Sequence, residues 1–175
     1  MKTTVGVSEL RVSMNVKEII VTYALGSCLG IALYDPVVKA GGLLHVMLPH
    51  SKVDPEKARL QPAKYVDTGF PKLLQECYKM GARKENLKIV VAGGASMKSL
   101  GKDDYFKIGK RNFTMLRKLL WKNGFMIHQQ DVGGHISRTM ALHISNGLVT
   151  INKKPIEGEN GDSIQGSAAR VRVRG

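Results

Sequence analysis

The chain has 175 residues, 43% of them hydrophobic, enough to bury one good core and too few for two full domains. Lys and Arg outnumber Asp and Glu by 27 to 14, a formal charge of +13, with two cysteines and 6% aromatic residues. These totals exclude a disulfide framework and a Cys-x-x-Cys metal site. The opening MKTTVGVSELRV lacks the basic-then-apolar order of a secretory signal, and the least charged stretch, Ile19 to Tyr34, is interrupted by Thr22, Gly26, Ser27 and Gly30. A cytoplasmic protein without membrane insertion is expected. The positive surplus attracts polyanions and acidic protein surfaces over a Debye length of about 8 Å. Its lysines and arginines are dispersed, as in EKARLQPAK, ARKENLK, KIGKRN and LRKLLWK, and aromatic stacking platforms are sparse. A solvated basic surface is therefore preferred to a nucleic-acid groove.

In chain order, KEIIVTYA (17 to 24) is rich in β-branched and aromatic residues and reads as a strand ending at the Gly26 turn. CLGIALYD and GGLLHVML read as two more, joined by a hairpin through Asp35-Pro36. From Pro62 to Met80 the apolar residues recur at helical spacing, with Pro62 in the first turn, Pro71 as a kink and Gly81 as the stop. LKIVVAGGA is a short buried strand running into a Gly-Gly turn. GKRNFTMLRKLLWKNG is an amphipathic helix with Phe113, Leu116, Leu119 and Leu120 on one side, closed by Gly124. FMIHQQDV, TMALHIS and LVTIN complete the strands, the last two joined at Asn146-Gly147. This order implies an α/β (α+β) layered sandwich: mixed, largely antiparallel sheets packed with two main helices. Residues 1–151 form one domain, and 152–175 are expected to be a basic, mobile tail.

The hairpin makes a geometric expectation. If Asp35 to Val38 form a four-residue loop, opposed residue numbers sum to 73 and Cys28 faces His45, with Cβ atoms about 5 Å apart. A shift of one full pair leaves the two as diagonal neighbours on the same face. A thiolate attacks carbonyl carbons, but a free cysteine is mostly protonated at neutral pH, and an adjacent imidazole can take the proton and hold an ion pair. Gly26 and Gly30 leave room beside the thiol for substrate and for backbone N–H groups facing an oxyanion, and Ser27 adds a hydroxyl. Thr22 lies six residues before Cys28 and is placed to orient the imidazole. The competing reading makes Cys28 and His45 packing residues, since free cysteines and strand histidines are often buried.

TYALGSCLGIALYD, followed by GGLLHVMLP, resembles the chemoreceptor glutamine deamidase family of bacterial chemotaxis, CheD. The resemblance continues through AGGASM, IGKRN and DVGGHISR, covering residues 5 to 151. Ser137 stands where the family pattern has glycine before Arg138, and the tail after Asn152 is longer than the pattern needs. The resemblance implies a cysteine-hydrolase-like fold and a protein-glutamine deamidase that uses no cofactor and no metal. Cys28 would be the nucleophile, His45 the base and acid, and Thr22 the third member. It implies two partners, methyl-accepting chemotaxis receptors with an acidic helical bundle and a CheC-type response-regulator phosphatase. A methylesterase side activity is secondary.

Elsewhere, His50 follows Pro49 at a strand end as a cleft-lining candidate, grouped with Gly26 and Ser27 for substrate or oxyanion contact. Cys77 is expected in the core, and His128 and His143 are read as structural. His135 lacks a His-x-x-x-His partner for a metal. The pairs Gly93-Gly94 and Gly133-Gly134 read as tight turns rather than phosphate loops. Phe106 and Phe113 are candidates for an exposed docking surface. Two alternatives to the enzyme stand beside it: a non-catalytic binding module for the phosphatase and receptors, and a basic nucleic-acid-binding domain.

Overall fold

The computed structural model describes residues 1–96, 107–156 and 168–172. Among the described residues ten strands make two five-stranded sheets. The outer sheet orders β1 (Lys2–Thr4), β3 (Ile19–Leu25), β8 (Ile136–His143), β9 (Leu148–Pro155) and β10 (Ala168–Arg172) side by side. The central sheet orders β2 (Glu9–Ser13), β5 (Ala40–Val46), β4 (Leu29–Asp35), β6 (Lys88–Gly93) and β7 (Gln129–Val132). Among the same residues three α-helices accompany them: α1 (Pro55–Leu60), α2 (Val66–Lys79) and α3 (Ile108–Lys122). The layered α+β arrangement is the expected one, with β1–β3 and β6–β7 the two parallel pairings in otherwise antiparallel sheets.

Strand alternation explains why the central sheet is buried on both faces. Leu29, Ile31 and Leu33 of β4 join Leu44 and Val46 of β5 in a core with Val66, Phe70 and Leu73 of α2 and Leu116 and Leu120 of α3. The intervening positions Ala32, Tyr34 and Leu43 point the other way, onto Ile20, Met140, Leu142 and Val149 of the outer sheet. The molecule is therefore three layers, helices on sheet on sheet, and every residue of β4 and β5 is buried.

The hairpin between β4 and β5 differs by one pair from the expectation. Asp35 pairs with Ala40, so the loop is Pro36–Lys39 and opposed numbers sum to 75: Gly30 faces His45. The buried Asp35 carboxylate accounts for the shift. It accepts the Val37 and Val38 N–H groups of the loop and the Arg83 N–H and Asn86 amide from the segment after α2, which holds Asp35 inside the strand. These donors keep its pKa below the usual carboxylate value although burial alone would raise it.

Other differences have local causes. The expected helix from Pro62 divides because Leu48 bridges to Tyr65, accepting the Val66 N–H and donating to the Lys64 carbonyl. Tyr65 is thereby drawn into extended geometry, and α2 starts at Val66 and runs through Pro71. β1, β2 and α1 went unassigned from sequence, being short and weakly patterned. The segment past Asn152, expected to be a mobile tail, extends β9 to Pro155, and residues 168–172 pair with it from Ala168 opposite Asn152 to Arg172 opposite Leu148. The period-two alternation of ARVR suits that strand. Phe113 packs half-buried against the helix-side core rather than presenting an exposed docking ring, and Phe106 lies outside the described residues.

Candidate active site

The site lies between the two sheets, where β3 crosses β5. Thr22 occupies the inward face of β3 beyond Ile20, and His45 the outer-sheet-facing side of β5; Thr22 is 0% exposed and His45 1%. Thr22 Oγ1 is 2.8 Å from the Val5 carbonyl oxygen and 2.7 Å from His45 Nδ1. A carbonyl only accepts, so the hydroxyl proton goes to Val5, and Thr22 Oγ1 must accept from Nδ1–H. That assigns the tautomer: Nε2 carries the lone pair. Nε2 is buried and has no hydrogen-bond partner among the described residues.

Continuing the β4–β5 register by one residue sets Cys28 opposite Met47 and diagonal to His45, the alternative the hairpin arithmetic allowed. Cys28 is half-buried and packs on the inter-sheet core, the side to which His45 points. The backbone around it is fastened at three consecutive carbonyls. Gly26 O accepts from Ala95 N–H at 2.9 Å, Ser27 O from the Asn112 amide at 3.0 Å, and Cys28 O from Gly94 N–H at 2.8 Å. Gly26 N–H is engaged by the Ala24 carbonyl. The N–H groups of Ser27 and Cys28 donate to no backbone carbonyl among the described residues. A Cβ on Gly30 would lie 2.8 Å from Leu25 Cδ1 and 3.0 Å from Met140 Sδ, so those two side chains would have to shift to admit one.

Asn112, buried on α3, is the residue whose role the sequence did not assign. Its amide donates to Ser27 O and to Met47 O at 3.1 Å, so one side chain ties the Cys28 loop to the end of the strand carrying His45. Gly93 and Gly94 both have positive φ and pass against the loop; a Cβ on Gly93 would be 2.2 Å from the Cys28 carbonyl oxygen. Behind them the buried Arg138 guanidinium bonds to Asp131 at 2.9 Å and to the Gly93 and Ile136 carbonyls. This explains physically why AGGA, IGKRN and the DV…R segment accompany the cysteine: all three brace its loop.

His50 lies beyond the end of β5, four residues past Val46. It lines two surface grooves with Arg111. Cys77 is buried on α2 and its pKa is pushed up to about 12, chiefly by burial. His128 accepts the Ile89 N–H, and His143 lies in β8. Among the described residues no group of three or more His, Cys, Asp or Glu could hold a metal ion, and no helix is long and apolar enough to cross a membrane.

Burial moves Cys28 and His45 away from an ion pair. It raises the Cys28 pKa, countered in part by the residue's own N–H, and lowers that of His45 to about 4. Thiol and imidazole are both neutral at pH 7 in the resting protein.

A family model described as "CheD chemotactic sensory transduction" matches residues 47–153. The chain is 48% identical over 147 residues to "Probable chemoreceptor glutamine deamidase CheD 1" of Syntrophus aciditrophicus (strain SB), covering 84% of this chain and 91% of that one. This chain belongs to the CheD family. Two further relatives, both named "Probable chemoreceptor glutamine deamidase CheD", are those of Solibacter usitatus (strain Ellin6076), 46% identical over 149 residues (85% and 87% of the two chains), and Pyrococcus abyssi (strain GE5 / Orsay), 44% over 149 residues (85% and 90%).

Proposed function

We propose that this protein hydrolyses the side-chain amide of specific glutamines in chemotaxis receptors, giving glutamate and ammonia, with Cys28 as nucleophile, His45 as base and acid and Thr22 as the residue that positions His45. The names of its relatives supply the reaction and the substrate class. The observation that carries the residue assignment is the buried His45 ring, tied at Nδ1 to Thr22 and carrying an unpartnered Nε2 on the face where Cys28 sits. A cytoplasmic setting follows from that substrate. The CheC-type phosphatase implied by the resemblance is the second partner of this reading.

In the first half-reaction the Cys28 S–H proton passes to His45 Nε2 as sulfur bonds to the amide carbon. The imidazolium then gives that proton to the amide nitrogen, the C–N bond breaks and ammonia leaves a thioester. Water next gives a proton to Nε2 and bonds to the thioester carbon; the C–S bond breaks and sulfur recovers its proton. The Cys28 and Ser27 N–H groups are the donors available to the oxyanion, whereas that of Gly26 is already spent on Ala24. Burial holds the Cys28 thiol above its ordinary pKa and His45 down at about 4, so a resting ion pair is disfavoured. Proton transfer therefore accompanies attack instead of preceding it.

The base is competent wherever Nε2 is unprotonated. The acid limb of kcat/KM is accordingly expected well below 6.5, towards about 4; a limb at 6.5 would remove the buried His45 from the base role. Stability carries the same signature. Folded protein binds fewer protons than the unfolded chain between about 4 and 6.5, so stability is lost as pH falls through that window, by at most about 3 kcal/mol.

Thr22→Val keeps the shape and removes the bond to Nδ1. We expect kcat to fall about 10- to 100-fold with KM little changed, and Thr22→Ser to recover most of it. Steady-state kinetics check this; full activity in Thr22→Val would take Thr22 out of the mechanism. The reaction itself is tested by incubating the protein with a chemoreceptor cytoplasmic fragment. One ammonia released per glutamine lost supports it, and a bound receptor with no release contradicts it.

A further inference from the structure

The solvent side of α3 has a composition that the chemistry at Cys28 does not explain. The helix carries Lys110, Arg111, Arg117, Lys118 and Lys122 and not one Asp or Glu. Among the described residues none of the five has an ion-pair partner, whereas α2 neutralises Lys72 and Lys79 on Glu76. Three grooves merge along this face. The first shares His50 and Arg111 with the second, and the second shares Thr114 and Lys118 with the third. Together they run the length of α3, about 20 Å at 1.5 Å per residue. Both ends of the trough are apolar: Leu48, Pro49, Val53 and Ile108 at one, Trp121, Phe125 and Met126 at the other. Trp121 is 86% exposed and is the only tryptophan in the chain.

We infer that this trough docks an acidic, amphipathic α-helix of the protein substrate, laid alongside α3. The exposed residues Arg111, Thr114, Lys118 and Trp121 follow one another at steps of three, four and three, the spacing by which one helix meets another along a seam. Carboxylates of the partner helix meet the cations at the middle, and its apolar residues meet the two ends. A nucleic-acid backbone offers nothing to the apolar ends, and a second copy of this chain would bring the same cations against themselves. The trough is tied to the site along the chain. Leu48 to His50 directly follow the end of the His45 strand, and Arg111 is the neighbour of Asn112, which holds Ser27 and Met47. A docked helix thus passes the Cys28 loop, and glutamines on helices with acidic neighbours are the ones selected. The identity of the helix as substrate rests on the deamidase reading; the docking surface does not.

Trp121 is its own reporter. The full-length protein is titrated with a synthetic helical peptide of Leu–Glu heptads, and a blue shift of tryptophan emission is expected, with Kd at least tenfold weaker in Arg111→Glu/Lys118→Glu. Lys17→Glu/Lys154→Glu, the same change of charge on exposed residues elsewhere, is expected to bind as wild type does. On a chemoreceptor fragment the first double variant raises KM at least tenfold and spares kcat. No shift with the peptide, equal affinity in both double variants, or displacement of the peptide by duplex DNA at lower concentration than by free peptide would each overturn the proposal. Deamidation by wild type with KM unmoved in the variant sinks the docking surface alone. Peptide docking without any deamidation leaves the surface standing and sinks the deamidase reading.

Discussion

Gly93→Ala is expected to cost at least about 3 kcal/mol and to lower the melting temperature by about 10 °C. Two effects combine. Gly93 has φ of 108°, where an L-residue is strained, and the new Cβ would lie 2.2 Å from the Cys28 carbonyl oxygen, a backbone atom held in place by Gly94 N–H. Gly81→Ala separates the two: its φ is 87°, yet nothing lies within 4 Å of the added Cβ, so strain alone should cost about 1 kcal/mol. Because the Cys28 loop must move in Gly93→Ala, activity should fall in whatever fraction stays folded. Thermal denaturation of both variants checks the difference, and equal losses would mean that the approach of the glycine turn to Cys28 carries no energy.

His45→Ala is expected to reduce kcat by about 10³-fold, the scale of losing a positioned acid and base. The fold should survive it. The substitution leaves a cavity between the sheets, but it also removes a buried nitrogen without a partner, and the Thr22 hydroxyl keeps its bond to Val5. Circular dichroism and steady-state kinetics on the same preparation separate the outcomes. Wild-type kcat in a folded His45→Ala protein would assign the base to another group.

The site was legible in outline because its parts lie on one hairpin and the strand before it, where period-two alternation fixes which residues share a face. Cys28 and His45 fell on the same face under either register, so an error of one pair in the loop did not matter. The error arose at Asp35, whose buried carboxylate holds it inside β4; its partners at Arg83 and Asn86 are 48 and 51 residues away, beyond any local pattern. The strap made by Asn112 was illegible for the same reason, being separated from Ser27 by 85 residues. Val5 contributes through its backbone, which leaves no signature in side-chain chemistry. In the fold, strongly patterned segments such as α3 and the Asn146-Gly147 hairpin were read near their true bounds. Short strands at the N-terminus were not, because three to five residues of mixed burial carry little periodicity. The basic charge was visible from composition, whereas its concentration on one face of α3 required the fold.

Attack of the Cys28 thiol on the glutamine amide is tested by intact-mass spectrometry of a chemoreceptor cytoplasmic fragment. The fragment is incubated with wild type and, separately, with Cys28→Ala, then mapped by peptide. A gain of about one dalton per modified glutamine is expected with wild type and none with Cys28→Ala. The same gain with both proteins would contradict attack by Cys28.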